Sequence, residues 1–235
     1  MPPSVSVIIP TLWKSSRLEM QINAFLNWEH CEEVVILDND PSESRPVPNN
    51  EKISIIRHTE NRYVNPSWNI GAAEATGDFL LIANDDVSFD PSLLSNLLSS
   101  VRKNEIIGCH EKCFTSELDR DHFDVESKPW TYMNQGWGCV MLLHRSSYTQ
   151  IPESMLIYCG DDWLSCILKP RKMLLHVDSE MSTTSGRSEF NLIKDRDIEI
   201  FKSTYRGSII WKSLTKAHRL GILKPLRWML NRQPQ

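Results

Sequence analysis

The chain has 235 residues, of which 40% are hydrophobic and 24% are charged. This length and balance predict a globular unit with a core and exclude a disordered or low-complexity chain. The sequence has no run of 18 apolar residues and starts without the basic and apolar segments of a signal peptide, so we expect neither export by that route nor a membrane span. Six irregularly spaced cysteines are then expected as free thiols, with the cytoplasm as the expected location.

The charge is unevenly distributed. The formal net charge is −4, but residues 201–235 contain eight Lys or Arg and no Asp or Glu, which leaves −12 on residues 1–200. We therefore predict a main domain over 1–200 and a basic tail over 201–235. Apolar residues and the tryptophans Trp211 and Trp228 accompany the basic residues, a pattern typical of a peripheral anchor on anionic lipid. Packing of this apolar surface against the domain or a second subunit is an equal alternative.

Short β-branched runs alternate with helical patterns through the first hundred residues. The predicted elements, in chain order, are a strand at 4–9, a helix at 15–28 with Ser15 and Ser16 as candidate N-caps, strands at 34–37 and 53–56, a helix at 67–75, a strand at 78–83 and a helix at 91–103. This order predicts an α/β fold with an open, mostly parallel sheet flanked by helices.

The second half of the chain gives weaker patterns. The predicted elements there are irregular polar structure at 106–135, a strand at 136–143, a short segment at 146–150, a helix that follows Gly160 and stops before Pro170, and a strand at 173–177.

Polar residues directly follow three of the predicted strands. The three clusters are Pro10-Thr11, Asp38-Asn39-Asp40 and Asn84-Asp85-Asp86. Right-handed crossovers bring the carboxyl ends of parallel strands to one rim, where ligands of open α/β sheets bind. The glycine-rich loops of dinucleotide-binding and P-loop proteins are absent, which disfavours both classes. The adjacent carboxylates favour a hard divalent cation, and a polar turn that caps a helix is the alternative.

Several blocks of sequence, in this order along the chain, resemble GT-A glycosyltransferases, most closely the family-2 type with its rhamnosyltransferase-like members. The blocks are residues 5–11, 34–39, 61–87, 138–145 and 157–163. The resemblance implies a Rossmann-like GT-A domain with a nucleotide-sugar half over 1–104 and an acceptor half over 105–200.

The resemblance implies a donor site in the first half. Pro10 and Thr11 would line the base pocket, and Asp38 would bind the base or its ribose. Asn69 and Gly71 match an Asn-x-Gly element beside the diphosphate, where glycine permits close backbone approach.

The resemblance also places Asn84-Asp85-Asp86 at the Asp-x-Asp position of the family. Asp86 would bind Mn²⁺ or Mg²⁺ on the diphosphate, and Asp85 would hold the ribose or the donor sugar. Asn84 replaces the first acid and so removes one negative charge from the metal site.

Two further residues extend this site, His176 by resemblance and Arg187 by the match of its planar guanidinium to phosphate oxygens. His176 would be a third metal ligand, with a structural histidine as an equal alternative. Arg187, in a Ser/Thr/Gly loop, would clamp the diphosphate, with a plain surface loop as the alternative.

The acceptor half contributes the implied general base. Asp161 and Asp162 lie at the start of a predicted helix, whose dipole favours ionised carboxylates. The resemblance assigns the base to Asp162, while Asp161, where the family usually has Glu, would orient the sugar or cap the helix. Trp137 and Trp163 flank this region and could stack on the acceptor sugar, although core positions are the more frequent state of tryptophan.

Together these features predict an inverting hexosyl- or pentosyltransferase that is metal-dependent and uses a nucleoside-diphosphate sugar, UDP- or dTDP-linked. The expected acceptor is a saccharide or glycoconjugate, lipid-linked if the tail binds membrane, and a nucleic-acid acceptor is less favoured. One alternative is a nucleotidyltransferase on a sugar phosphate, which the lack of glycine in residues 10–17 disfavours. The other is a non-catalytic binding module, which Asn84 would favour.

Overall fold

An eight-stranded sheet organises the structure, a computed structural model that describes residues 2–42, 49–115, 117–126, 136–180 and 188–206. The strands of this sheet lie in the order β3-β2-β1-β4-β8-β6-β9-β7. The first four are β1 Val5–Thr11, β2 Cys31–Asp38, β3 Ile53–Arg57 and β4 Phe79–Ala83.

The first half of the sheet is parallel throughout. β1 pairs with β2 and β4, and β2 pairs with β3. β1 and β4 are buried along their whole length, which explains their continuous apolar sequences. The register sets Thr11 opposite Asp38, so the ends of β1 and β2 meet at the same edge.

The second half of the sheet mixes strand directions. Its strands are β6 Glu105–Cys109, β7 Phe123–Val125, β8 Val140–His144 and β9 Lys169–Leu175. β8 is antiparallel to both β4 and β6, β9 is parallel to β6, and β7 is antiparallel to β9. Six of the eight strands described in this sheet therefore share one direction, which confirms the predicted mostly parallel α/β fold. A separate short ribbon joins β5 Val87–Ser88 to β10 Asp178–Ser179.

Helices cover the two faces of the sheet, each over its own buried cluster. The helices are α1 Leu18–Leu26, α2 Val64–Glu74, α3 Ser95–Leu98, α4 Gly160–Ile167 and α5 Ser188–Arg206. α1 and α3 pack on the face that includes Val7 and Ile9, whereas α2, α4 and α5 pack on the face of Ile8. The halves 1–104 and 105–200 therefore share one sheet and both cores.

The structure differs from the predicted elements at several points. The expected helix at 91–103 is a 3₁₀ turn, Pro91–Leu94, followed by the single turn of α3. The expected irregular segment at 106–135 contains β7 and all of β6 except its first residue, Glu105, and both strands are short. Ser15 and Ser16 do not cap α1, since Arg17 precedes the helix without a side-chain cap.

The predicted boundary at residue 200 falls inside α5. Phe201 is 3% exposed and packs in the core with Leu164 and Met141. The remainder of the basic tail, residues 207–235, lies outside the described residues, as do the two short helices expected there.

All six cysteines are free thiols, as predicted. In the described ranges, no helix is both long and apolar enough to cross a membrane.

Candidate active site

The carboxyl ends of β1 and β4 are joined by a hydrogen bond between side chains. Thr11 Oγ1 donates to Asp85 Oδ2 at 2.6 Å and accepts from the backbone N–H of Trp13 at 2.7 Å. Asn39 N donates to Thr11 O at 2.9 Å. The three polar clusters therefore share one rim, as the strand order predicts.

Backbone strain is concentrated at this rim. Among the described residues, three that are not glycine have left-handed φ angles: Trp13 at 57°, Tyr63 at 62° and Cys159 at 63°. Trp13 follows β1, Tyr63 precedes α2 and Cys159 precedes α4. Such conformations cost on the order of 1–3 kcal/mol each and persist where surrounding contacts enforce them, often at functional sites.

Asp85 and Asp86 carry poorly compensated charge. Burial raises the pKa of Asp85, and the nearby Asp86 raises it further, against the hydrogen bond from Thr11. Burial also raises the pKa of Asp86, with a contribution from the negative charge of Glu180. Asp86 Oδ1 is buried and has no hydrogen-bond partner in the structure. A divalent cation would relieve both the repulsion and the missing contact.

The carboxylates at this rim fit a cation whose coordination is completed by oxygen atoms of the substrate and water. Within the described ranges, no group of three His, Cys, Asp or Glu side chains could hold a metal ion. Mg²⁺ in phosphate-transfer sites is often held by one or two carboxylates and takes its other oxygens from substrate phosphates and water. Asp86, with Asp85 beside it, meets that requirement.

His176 is held by two oxygen atoms. Its Nδ1 lies 3.1 Å from Leu118 O, and its Nε2 lies 3.2 Å from Asp178 Oδ1. The predicted ligation of a metal by His176 would require one of these contacts to break.

Glu180 is a residue of this region that the sequence analysis missed. Its backbone N donates to Asp86 O at 2.8 Å. Its carboxylate accepts from Ser15 Oγ at 3.0 Å, from Ser16 N at 3.2 Å and from Ser16 Oγ, and lies 3.7 Å from Arg17 Nε. These donors, led by Ser16, lower the pKa of Glu180. Glu180 thus connects the loop after β1 to the acidic end of β4.

Pro10 and Asp38 occupy the neighbouring strand ends. Pro10 is buried in β1 opposite Leu37. The side chain of Asp38 is 2% exposed, accepts from Asp40 N at 3.1 Å and lies 3.7 Å from Arg57 Nε. Their contacts with a nucleotide stay predictions.

Asn69 and Gly71 have packing roles in α2. Asn69 Nδ2 donates to Ile151 O at 2.8 Å, and its Oδ1 accepts from Ile151 N and from Tyr148 Oη, each at 2.9 Å. A Cβ added at Gly71 would lie 2.5 Å from Ile8 Cγ2, so glycine lets α2 approach β1. Contact of either residue with a diphosphate stays a prediction.

Asp161 and Asp162 lie in the first turn of α4. A Cβ added at Gly138 would lie 2.7 Å from Asp161 Oδ2, so this glycine makes room for the carboxyl group. Burial raises the pKa of Asp161, against the hydrogen bond that its Oδ1 accepts from Asp162 N at 3.0 Å. Burial raises the pKa of the Cys159 thiol, and the negative charges of Asp162 and Asp161 raise it further.

Cys139 links the two acidic pairs. Its carbonyl accepts from Asn84 N at 2.9 Å, and the adjacent Gly138 contacts Asp161. Burial, together with the charges of Asp86 and Asp161, raises the pKa of the Cys139 thiol to about 12. The turn Trp137–Cys139 therefore borders both Asn84, which precedes the acids after β4, and Asp161, 77 positions later in the sequence.

The two candidate acceptor tryptophans differ in exposure. Trp137 is 0% exposed, and its Nε1 donates to Arg171 O at 3.3 Å. No indole face is open to a sugar in this position, which argues against the predicted acceptor contact. Trp163 is half-buried, and its role stays a prediction. Arg187 lies outside the described residues.

Asn65 and Asp197 were also missed by the sequence analysis. Asp197 is 0% exposed and accepts three backbone N–H bonds from residues 156–158. A sequence signal exists, because Asp197 interrupts an apolar stripe formed by Ile193, Ile200 and Phe201 on α5. A charged residue in such a stripe indicates a buried acceptor that needs partners.

The chain is similar to known glycosyltransferases in sequence and in fold. Residues 6–149 match the family described as Glycosyl transferase family 2. The structure of GalNAc-T7 with UDP, GalNAc and Mn²⁺ is similar with a TM-score of 0.54 at 11% identity, over 75% of this chain and 44% of that one. The mannosyltransferase PcManGT from Pyrobaculum calidifontis, in complex with GDP-Man and Mn²⁺, gives a TM-score of 0.55 at 13% identity, over 88% of this chain and 66% of that one.

The chain therefore spans less than half of GalNAc-T7 and about two thirds of PcManGT. At these identities the likeness concerns the fold, which is that of GT-A glycosyltransferases. The comparison with curated proteins found no match. The family match covers more than half of the sequence and agrees with the strand order and with the acidic rim, so the chain belongs to glycosyl transferase family 2.

Proposed function

We propose that the chain transfers a sugar from a nucleoside-diphosphate donor to an acceptor hydroxyl, with inversion and with Mn²⁺ or Mg²⁺ as cofactor. The observation that carries this proposal is that one turn, Trp137–Cys139, borders both acidic pairs. Asp85 and Asp86 come from the nucleotide-sugar half, residues 1–104, here called the donor half, and Asp161 and Asp162 come from the acceptor half.

The donor half would hold the leaving diphosphate. Asp86 offers a buried, unpartnered oxygen, and Thr11 fixes the neighbouring Asp85 through a 2.6 Å hydrogen bond. When bound there, a divalent cation supplies positive charge for the departing diphosphate. Asp85, with one oxygen already held by Thr11, is placed to accept from a hydroxyl of the ribose or the donor sugar.

The acceptor half would supply the general base. Asp162 lies in the first turn of α4, where the helix dipole favours an ionised carboxylate. A base must be ionised and within hydrogen-bond reach of the hydroxyl that attacks. Asp161 is the weaker candidate because its carboxyl is packed against Gly138 and accepts from Asp162 N. Inversion follows if the base and the diphosphate flank the anomeric carbon on opposite sides.

We assign the donor to the UDP- or dTDP-linked class and the acceptor to saccharides or glycoconjugates. Support for a nucleotide-sugar donor comes from the neighbours, one crystallised with UDP and GalNAc and the other with GDP-Man. GDP-linked sugars therefore belong in any screen.

A lipid-linked acceptor would suit the basic tail, since six of its eight basic residues lie in 207–235. Truncation after Arg206 leaves α5 whole and tests this directly. Co-sedimentation with anionic vesicles at low salt should be lost on truncation, and equal behaviour of the two chains would exclude the anchor.

A thermal-shift screen tests the donor assignment. UDP-, dTDP- and GDP-linked sugars are each added with Mn²⁺ or with EDTA. A ligand present at about 100 times its Kd stabilises the folded state by about 2.7 kcal/mol, so we expect at least one donor to raise Tm with Mn²⁺ and to lose most of that shift in EDTA. Absence of any metal-dependent shift across the panel contradicts the proposal. Asp86→Ala serves as the control, because it should remove the shift without unfolding the chain.

A further inference from the structure

The segment that leads into α4 is bonded on both sides by residues from other helices. Asp197, on α5, accepts through Oδ1 from Leu156 N at 3.0 Å and through Oδ2 from Ile157 N at 2.8 Å and Tyr158 N at 2.9 Å. Lys194, one turn earlier on α5, lies over the Tyr158 ring with Nζ 5.9 Å from its centroid. α5 therefore holds the N–H side of this segment.

The carbonyl side of the same segment is held by α2. Asn65 N donates to Leu156 O at 2.9 Å, and Asn65 Nδ2 donates to Tyr158 O at 3.1 Å. Asn65 is itself 0% exposed. Residues 156–158 are thus fixed between α2 and α5, helices from the first and last thirds of the sequence.

This fixed segment determines where α4 begins. Cys159 follows it directly with φ 63° and ψ 9°, a left-handed conformation that is unfavourable for a residue with a side chain. The next residue, Gly160, packs so closely on Asn65 that an added Cβ would overlap Asn65 Oδ1. Asp162 comes two residues later in the first turn of α4, so little backbone freedom separates it from the bonded segment.

The carboxylate at position 197 is needed for its hydrogen bonds to residues 156–158 and not for packing in the core. Its neighbours on the same face of α5 are apolar: Phe201 is buried, and Ile193 and Ile200 are half-buried. An apolar residue at 197 would pack with them but would leave three N–H donors without this acceptor, and an unpartnered buried donor is costly. The carboxylate gains three hydrogen bonds in return for its own desolvation.

We propose that Asp197 is a positioning residue for the reaction: it sets the place of Asp162 by holding residues 156–158. This inference rests on the proposed function, in which Asp162 is the general base. Because Asp197 reaches Asp162 only through the backbone, its loss should lower kcat and leave the binding of the nucleotide sugar to the donor half unchanged. Misplacement of a reacting group by about 1 Å can cost roughly 100-fold in rate.

The test compares Asp197→Asn with Asp195→Asn, an exposed aspartate on the same helix. Asparagine keeps the shape but can accept with only one oxygen, so at least one of the three N–H bonds is lost. Amide hydrogen exchange of Leu156, Ile157 and Tyr158, followed by NMR in the full chain, should become at least roughly tenfold faster in Asp197→Asn. Exchange in β1 and β4 should not change, and Asp195→Asn should match the wild type.

Kinetics form the second part of the test. Nucleoside-diphosphate release is followed with whichever of UDP-glucose, UDP-N-acetylglucosamine, dTDP-rhamnose or GDP-mannose the wild type turns over fastest. We expect Asp197→Asn to lower kcat by roughly 10- to 100-fold with the donor KM within about threefold, and Asp197→Glu, which keeps the charge, to retain more of kcat. If Asp197→Asn does not fold, both measurements are made on Asp197→Glu. Faster exchange of the three amides and a lower kcat than in the wild type are expected there too.

The outcomes separate the two proposals. If the wild type releases no nucleoside diphosphate, the proposed function fails, whatever the exchange data show. If the wild type is active and Asp197→Asn keeps its kcat, or if the three amides keep their protection, the positioning role of Asp197 is wrong. An equal loss of protection throughout the sheet would also overturn it, because that result describes a residue that supports only global stability.

Discussion

The donor half and the acceptor half of the rim are built in different ways. In the donor half, Thr11 and Asp38 end β1 and β2, Asp85 lies two residues beyond β4, and parallel pairing of these strands brings the three together. In the acceptor half, Asp161 and Asp162 follow the strained residue Cys159, which comes directly after the segment that Asn65 and Asp197 bond. The donor half should therefore tolerate change in the loops of the acceptor half, whereas the acceptor half depends on contacts from across the molecule.

The largest effect should come from the base. Asp162→Asn removes proton acceptance and should lower kcat by roughly two to four orders of magnitude, with donor affinity retained, because the base acts on the acceptor. Steady-state transfer assays and donor titration measure the two quantities separately. Asp161→Asn is the matched control. If Asp161→Asn were inactive and Asp162→Asn nearly normal, the roles of the two acids would be reversed.

Changes in the donor half should lower the affinity for the nucleotide sugar, which Asp162→Asn leaves intact. Asp86→Ala removes the buried, unpartnered oxygen and one charge, so Mn²⁺-dependent affinity for the nucleotide sugar should fall at least about tenfold. Calorimetric titration in Mn²⁺ and in EDTA checks this. Asn84→Ala should lose less, because it removes a neutral side chain. Unchanged affinity of Asp86→Ala in Mn²⁺ would remove Asp86 from the metal site.

Gly160→Ala tests the dependence of the acceptor half on α2. The added methyl group overlaps Asn65 Oδ1 and should destabilise the chain by about 1–3 kcal/mol, as overpacked cores do. Denaturant unfolding measures the change. In the double variant Gly160→Ala/Asn65→Ala the overlap is gone, so the two losses should be less than additive. Strict additivity would show that Asn65 and Gly160 do not act on each other.

The smallest effect should come from Glu33, near the amino end of β2 and away from the carboxyl ends of the strands that form the site. The carboxylate of Glu33 accepts from Ser6 Oγ at 2.7 Å and from Thr76 N and Oγ1 at 2.7 and 2.6 Å. Although its partial burial acts the other way, these bonds and Arg145 hold the pKa of Glu33 below its usual value. Such a group stabilises the fold above the unfolded-state pKa, and the contribution is lost as the pH falls through the lower, folded-state value.

Glu33→Gln should therefore cost about 1 kcal/mol near pH 7 and almost nothing at the most acidic pH at which the chain still folds. Unfolding curves across this range check the sign. The exposed neighbour Glu32 gives the control Glu32→Gln, which should show no comparable pH dependence. Donor binding should be the same in all three chains, because the site lies at the other edge of the sheet.

The same contrast explains which parts could be predicted from sequence. β1, β2 and β4 are buried on both faces, so their apolar runs and the polar residues that follow are local signals, and the acids at 84–86 could be assigned to the rim directly. The prediction of a helix at 91–103 was wrong because the spacing of its apolar residues fits any segment that faces the core. Its residues form a 3₁₀ turn and one helical turn over the sheet.

The residues that hold the acceptor half in place could not be predicted from local sequence patterns. Trp137 begins the turn Trp137–Cys139 between the two acidic pairs, yet it fills the space that Gly108 leaves over β6. Asn65 and Asp197 act on residues 156–158 across about 90 and 40 positions of sequence, and such contacts leave no periodic pattern. Only the charged residue in the apolar stripe of α5 pointed to a buried partner.

Product analysis with the wild-type chain tests whether this protein transfers a sugar from a nucleoside-diphosphate donor with a divalent cation. The chain is incubated with the nucleotide-sugar panel in Mn²⁺, in Mg²⁺ and in EDTA, and the nucleotide products are separated by chromatography. We expect release of a nucleoside diphosphate from one donor class, dependent on the divalent cation and abolished by Asp162→Asn. Release of pyrophosphate from a nucleoside triphosphate with a sugar phosphate, or no cation-dependent release from any donor, would contradict it.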